Sequence, residues 1–411
     1  MNRLFVRTAA LVAIPLLASG LLTSCGKDPT PPSPPTDVAI VAGDQGMTVT
    51  WTMAPDVQYW LYYAPRTSIS TSDWMGTDSK VLLNVTSPTV ISGLTNGQIY
   101  SVTIDGRYNG GRAGSGSASV SATPQLAGAT WTAGTSTGSD LRGIAYGATF
   151  VAAGLGGAMY SSADGKTWTA LVSNTTSDLN AAVYGGIYVA AGAGGTVVTS
   201  SDAVTWTATT TGNAINALAT NGAGFYVAVG AAGGTQYSSG GVTWSAVANG
   251  AIASPLYGAT YGVVAGVTGL YVAVGGNGTI FTSTDGVNWT AQASPTASTL
   301  AGVAWGADPT GVTRFVAVGA AGTVITSTDG VTWTAATTPP PATTTLNAVT
   351  YGHQFIAVGN GGAIYASTDG LTWQSPTTNP ATANLYAIAH NTTFPYGYAA
   401  VGAAGANLTA Y

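Results

Sequence analysis

Asp140 and Asp178 occupy matching places in two consecutive copies of a repeated phrase. Two carboxylates held roughly 5 to 9 Å apart can divide the acid, base and nucleophile roles of glycoside cleavage. Read copy by copy, their position holds Asp140, Asp178, Ala214, Pro255, Thr299, Thr345 and Asn384. Two residues further on stand Arg142, Asn180, Asn216, Tyr257, Ala301, Asn347 and Tyr386. Amides, phenols, a guanidinium and two carboxylates arranged as a ring are groups that bind sugar hydroxyls. Other chemistries find less support. All 15 acidic residues are Asp, so the chain has no glutamate. His353 and His390 are its only histidines and Cys25 its only cysteine, which falls short of a zinc set, and both histidines read as solvated turn residues. Gly-rich pieces such as Gly359-Asn360-Gly361-Gly362 lead into strands rather than helices and are not phosphate loops. No Ser-His-Asp arrangement is suggested, and no cofactor is implied.

The elements that must position this ring come from the repeat itself. A small-apolar strand ends at Gly154, Gly192, Gly230, Gly275, Gly319, Gly359 and Gly402, at intervals of 38 to 45 residues. That period, with four short strands per unit, is the signature of a β-propeller blade. In the sixth copy Leu346 to Tyr351 reads as the inner strand, Gln354 to Val358 as the second and Ala363 to Ala366 as the third. The turn Ser367-Thr368-Asp369-Gly370 then leads into an outer strand Leu371-Thr372-Trp373, and the glycines at both turns supply the positive φ of tight hairpins. The last copy, Leu385 to Tyr411, lacks its outer strand, and the missing piece stands at Ala129-Thr130-Trp131-Thr132. Seven blades are expected, the last built from both ends of residues 125–411, which hides sheet edges. Connections from each outer strand to the next inner strand are the longest and most variable, so a ligand is expected at that mouth of the channel.

The corners are Asp164, Asp202, Asp285, Asp329 and Asp369, with Gly240 in the third copy, each followed by a Trp (Trp168, Trp206, Trp244, Trp289, Trp333, Trp373). An Asp here accepts hydrogen bonds from backbone N–H groups two residues on, which makes it a turn staple rather than a catalyst. The phrase resembles the Asp-box (BNR) repeat of sialidase-like propellers, one residue shorter than the common form. Sialidases hold substrate with three arginines and activate a tyrosine with a glutamate. The repeat region has only Arg142 and Arg314 and no glutamate, so the resemblance implies the fold and not the activity. Some Asp-box propellers help to assemble photosynthetic complexes; the arginine-rich patch expected of those is missing.

Upstream, Arg3 and Arg7 precede an apolar run ending in Leu22-Thr23-Ser24-Cys25, which resembles the lipobox of bacterial lipoproteins. The resemblance implies cleavage before Cys25, lipid on its sulfur and anchoring in the cell envelope, with Gly26 favouring the outer membrane or surface. A lone cysteine allows no intrachain disulfide. The Pro-rich stretch Pro29 to Pro35 would be a semi-rigid spacer. Residues 36–124 alternate as short strands; Trp51 and Leu94-Thr95-Asn96-Gly97-Gln98-Ile99-Tyr100 resemble the core and tyrosine corner of a fibronectin type III β-sandwich. The expected order is therefore leader (1–24), lipidated linker (25–35), sandwich (36–124) and propeller (125–411), all β. Only 6% of residues are charged and the net charge is −5, with no basic patch for nucleic acid. The main expectation is a non-catalytic surface lipoprotein that binds a glycan or protein at the channel mouth. The alternatives are a polysaccharide hydrolase built on Asp140 and Asp178, and a complex-assembly or structural envelope factor.

Overall fold

The computed structural model describes residues 30–247, 252–264, 269–393 and 395–411; the leader, Cys25 and Gly26 lie outside the described residues. The first unit consists of two antiparallel sheets. One joins Ala39–Gly43, Gly46–Thr50 and Thr89–Ser92; the other joins Lys80–Val85, Gln58–Ala64, Tyr100–Arg107 and Val120–Ala122. Alternate residues point inward, and Met47, Val49, Leu61, Val102 and Ile104 form one core between the sheets. Trp51 is buried in that core, and the Tyr100 hydroxyl accepts the Thr95 N–H at 3.2 Å.

From Leu141 onward the chain forms seven antiparallel sheets in succession. Their innermost strands are Leu141–Tyr146, Leu179–Tyr184, Ile215–Thr220, Leu256–Gly262, Leu300–Ala307, Leu346–Tyr351 and Leu385–His390. Each of these touches the next, and the last touches the first, so the sheets stand in a ring. The second strands, such as Phe150–Gly154 and Phe355–Gly359, are buried along their whole length. Both of their faces are covered by neighbouring sheets, which is why they read as unbroken apolar runs.

The seventh sheet is composite. Thr132–Ala133 pairs with Asn407–Ala410, with Leu408 opposite Ala133 and Thr409 opposite Thr132. Trp131, 3% exposed, packs among Ile356, Ile364, Leu385, Tyr398 and Leu408, and its indole N–H donates to the Gly128 carbonyl at 2.9 Å.

Two local expectations need correction. The residues before each corner Trp do not form the outer strand, which starts after it: Thr169–Leu171 follows Trp168 and Thr290–Gln292 follows Trp289. Backbone N–H groups before the Trp are already bound to the corner carboxylate, as Leu371 and Thr372 are to Asp369, so they cannot join a ladder. In the sixth sheet Gln374 pairs with Ala366 while Thr372 bridges Thr338, and Pro376 soon removes a donor. The second correction is narrower: the positive φ of the hairpin turn lies at Gly361 and Gly362, not at the repeated glycine. Gly359 has φ −163°, ordinary extended backbone. What it requires is space: a Cβ there would lie 2.0 Å from the Thr345 carbonyl oxygen. The six equivalent glycines, Gly154 to Gly402, meet the corresponding carbonyl at 1.9 to 2.1 Å.

Positive φ is needed again one turn later, at the corner before each Trp. Glycine fills it at Gly165, Gly286, Gly330 and Gly370, whereas Ala203 adopts φ +61° in the second sheet. Trp168, Trp289, Trp333 and Trp373 donate their indole N–H to that glycine carbonyl; the buried Trp206 indole has no partner among the described residues. Relief of the left-handed strain makes Ala203→Gly stabilising by about 0.5–1 kcal/mol, read as a raised denaturant midpoint at unchanged slope. Trp131→Ala is expected to cost about 3–5 kcal/mol by the same measurement, since it opens a cavity where the two strands that complete the seventh sheet meet.

Candidate functional site

Each innermost strand carries a β-bulge at its second residue. In the second sheet Leu179 pairs with Gly192 and Ala181 with Ala191, so Asn180 faces no partner. The same skip isolates Arg142, Asn216, Tyr257, Ala301, Asn347 and Tyr386. An extra residue in one strand escapes the ladder and re-aims its side chain. These seven residues, the second ring read from the sequence, all line one cavity of about 200 Å³ at the axis of the sheets.

The floor of the cavity is narrow for a steric reason. A Cβ on Gly143 would lie 2.6 Å from the Ala181 backbone, and one on Gly302 would lie 3.0 Å from the Ala348 Cα. Innermost strands thus meet backbone to backbone, and only Gly or Ala fits at Gly143, Ala181, Ala217, Gly258, Gly302, Ala348 and Ala387. The axial cavity therefore narrows where the strands meet.

The bulge residues divide into two groups. Asn180, Asn216 and Asn347 donate their amide N–H to the carbonyls of Ile215, Leu256 and Leu385 in the next sheet, at 2.8 to 3.0 Å. Their nitrogens tie sheets together, while the Asn180 and Asn216 side-chain oxygens keep no partner among the described residues. Arg142, Tyr257 and Tyr386 make no such tie. The Arg142 guanidinium lies 5.7 Å from the centre of the Tyr386 ring, across the junction of the first and last sheets. It is exposed and forms no ion pair among the described residues.

The first ring plays a different part. The Asp140 carboxylate accepts the Ala404 N–H at 2.7 Å, Asp178 accepts that of Gly156 at 2.8 Å, and the Asn384 side-chain oxygen accepts that of Gly361 at 2.8 Å. Each donor is the middle residue of the tight turn in the preceding sheet. The carbonyls of Asp140, Asp178 and Asn384 meanwhile accept Leu155, Ala193 and Ala403 N–H in their own sheets. These three residues clamp neighbouring turns, and none of them lines the axial cavity.

The corner carboxylates sit on the opposite face. Asp202 accepts the Thr205 and Val204 N–H groups and the Ser200 hydroxyl, which together hold its pKa down at about 2. At Asp164, Asp285, Asp329 and Asp369 partial burial pushes upward, and equivalent backbone and Ser bonds still carry the carboxyl below its ordinary value. Asp308 is likewise held at about 2, chiefly by the Thr310 hydroxyl, and pairs with Arg314 at 3.0 Å.

The histidines depart from the solvated-turn expectation. His353 Nδ1 is 2.7 Å from an oxygen of Asp44, a buried residue of the two-sheet unit. His390 ends an innermost strand, opposite Tyr398, and burial lowers its pKa to about 4. No signal pointed to this contact, because Asp44 and His353 lie in separate units with no shared pattern. Among the described residues no three His, Cys, Asp or Glu side chains group as a metal site, and no helix is long and apolar enough to cross a membrane.

Comparison with solved structures places the ring of sheets among β-propellers. YCF48 bound to D1 peptide matches with a TM-score of 0.53 at 19% identity, over 68% of this chain and 94% of that one. YCF48 from Cyanidioschyzon merolae matches with a TM-score of 0.53 at 19% identity, over 68% and 98%. The WD40 β-propeller domain of Doa1 matches at 0.51 and 10% identity, over 69% and 96%. At such identities the likeness is one of fold. No protein-family description and no curated protein sequence matches the chain.

The depressed corner carboxylates carry a sign. Their contribution is present above the ordinary carboxyl value of 3.8 and is lost as pH falls through the lower folded values. Thermal melts between pH 5 and 2 are expected to show stability falling from about pH 4 downward, and Asp202→Asn is expected to flatten part of that fall.

Proposed function

We propose that the protein is a non-catalytic binding protein of the bacterial cell envelope, lipid-anchored at Cys25, whose propeller holds an extended segment of a protein partner at the channel mouth. The seven sheets are the blades of one disc, its corners are Asp-box turns, and the two-sheet unit is a fibronectin type III-like spacer. One observation carries the binding reading: seven bulged side chains converge on the axial cavity without a carboxylate or imidazole among them. The two carboxylates that could have formed a hydrolytic pair are each bonded to backbone and stand away from that cavity. A peptide presents amide donors and carbonyl acceptors along its length. Arg142, Tyr257 and Tyr386 offer donors and flat rings, and the Asn180 and Asn216 oxygens offer acceptors. Binding of D1 peptide by a propeller of similar fold supports a peptide over a glycan as the first ligand class to try.

The test is a peptide array and a glycan array probed with the soluble chain from residue 36, followed by calorimetry on the best ligand. Arg142→Ala with Tyr386→Ala is expected to weaken binding by about tenfold or more, without changing the melting midpoint. Hydrolysis of any polysaccharide that is lost in Asp140→Asn would replace this reading with the glycosidase one. Binding confined to the glycan array would keep the mouth as the site and change its ligand.

A further inference from the structure

We propose that Asp44 and His353 form a pH-sensitive latch that fastens the two-sheet unit to the corner face of the propeller and loosens as the medium becomes alkaline. Asp44 lies in the turn between Ala39–Gly43 and Gly46–Thr50 and is 1% exposed. One carboxylate oxygen accepts from Asn96 Nδ2 at 2.7 Å within its own unit. The other meets His353 Nδ1 at 2.7 Å, in the turn joining Leu346–Tyr351 to Phe355–Gly359. The backbone of Asp44 also bridges to Tyr396, and the Tyr396 ring sits edge-on to His353 at 4.7 Å.

The hairpin is thus wedged between the sixth and seventh sheets. A buried carboxylate loses much of its stabilisation when its cationic partner becomes neutral. The groups facing His353 are Asp44 from the hairpin, Tyr396 from the last loop, and His390 and Tyr398 from the seventh sheet, which line the same 280 Å³ cavity. Among them Asp44 supplies the negative charge, and its hydrogen bond raises the His353 pKa against the opposing effect of burial. A raised folded value means the contribution is complete below the ordinary histidine value of 6.5 and is lost as pH rises through the folded value. His390, held neutral by burial, works in the other direction: its contribution is lost as pH falls from 6.5 towards about 4. The alkaline limb therefore belongs to His353 alone, and docking is strongest near neutrality.

The test is amide hydrogen exchange on the full chain between pH 6.5 and 9, corrected for intrinsic rates, following peptides that cover 43–46 and 391–397. Protection in both is expected to fall by about threefold or more across this range, since each unit of pKa difference corresponds to about tenfold in the docking equilibrium. In His353→Gln, a side chain already one-third exposed, protection is expected to sit at the alkaline level throughout. Wild-type protection that stays flat overturns the latch. So does a His353→Gln protein that keeps the wild-type pH dependence.

Discussion

A carbonyl oxygen pressed against the α-carbon of a glycine governs the geometry of the ring of sheets. In every sheet the residue before the innermost strand points its carbonyl at the glycine that closes the second strand, with too little room for any side chain. The innermost strand takes up the crowding by bulging two residues further on, in each of the seven sheets. That bulge decides which side chains face the axis. The repeated glycine and the lining of the axial cavity are two ends of one steric constraint.

The same crowding explains how the sheets are joined. With innermost strands touching backbone to backbone, little apolar area is available near the axis, and polar ties take over. Asn180, Asn216 and Asn347 reach forward to the next sheet, while Asp140, Asp178 and Asn384 reach back to the preceding one. Further out, tyrosine hydroxyls do similar work: Tyr188, Tyr226 and Tyr398 each bond both the N–H and the carbonyl of a residue in the preceding sheet. Where the ring of ties is interrupted, at Arg142, Tyr257 and Tyr386, polar groups remain for a ligand.

Much of this was legible from residue order. The period of the glycines, the incomplete last copy and the stray Trp131 together imply a sheet shared by both ends, because hidden edges and a buried indole leave few other arrangements. The axial ring could be read as well, since it directly follows the buried Leu or Ile that opens each innermost strand. The role of Asp140 and Asp178 could not be, because a carboxylate that caps a neighbouring turn has the same sequence context as one that faces solvent. The start of the outer strands was missed for a related reason: corner N–H groups are consumed by a side chain, and strand propensity does not register that. The Asp44–His353 contact joins two units that fold on separate patterns, so no periodicity could announce it.

The seam at Thr132–Ala133 bears on how the polypeptide reaches its final form. Those two residues leave the ribosome long before their partner at Leu408, and the innermost strands cannot complete a circle until Leu385–His390 has been made. Trp131 must stay unsatisfied through the synthesis of the intervening sheets, which makes the nascent chain most vulnerable to premature association until the seventh sheet has been made.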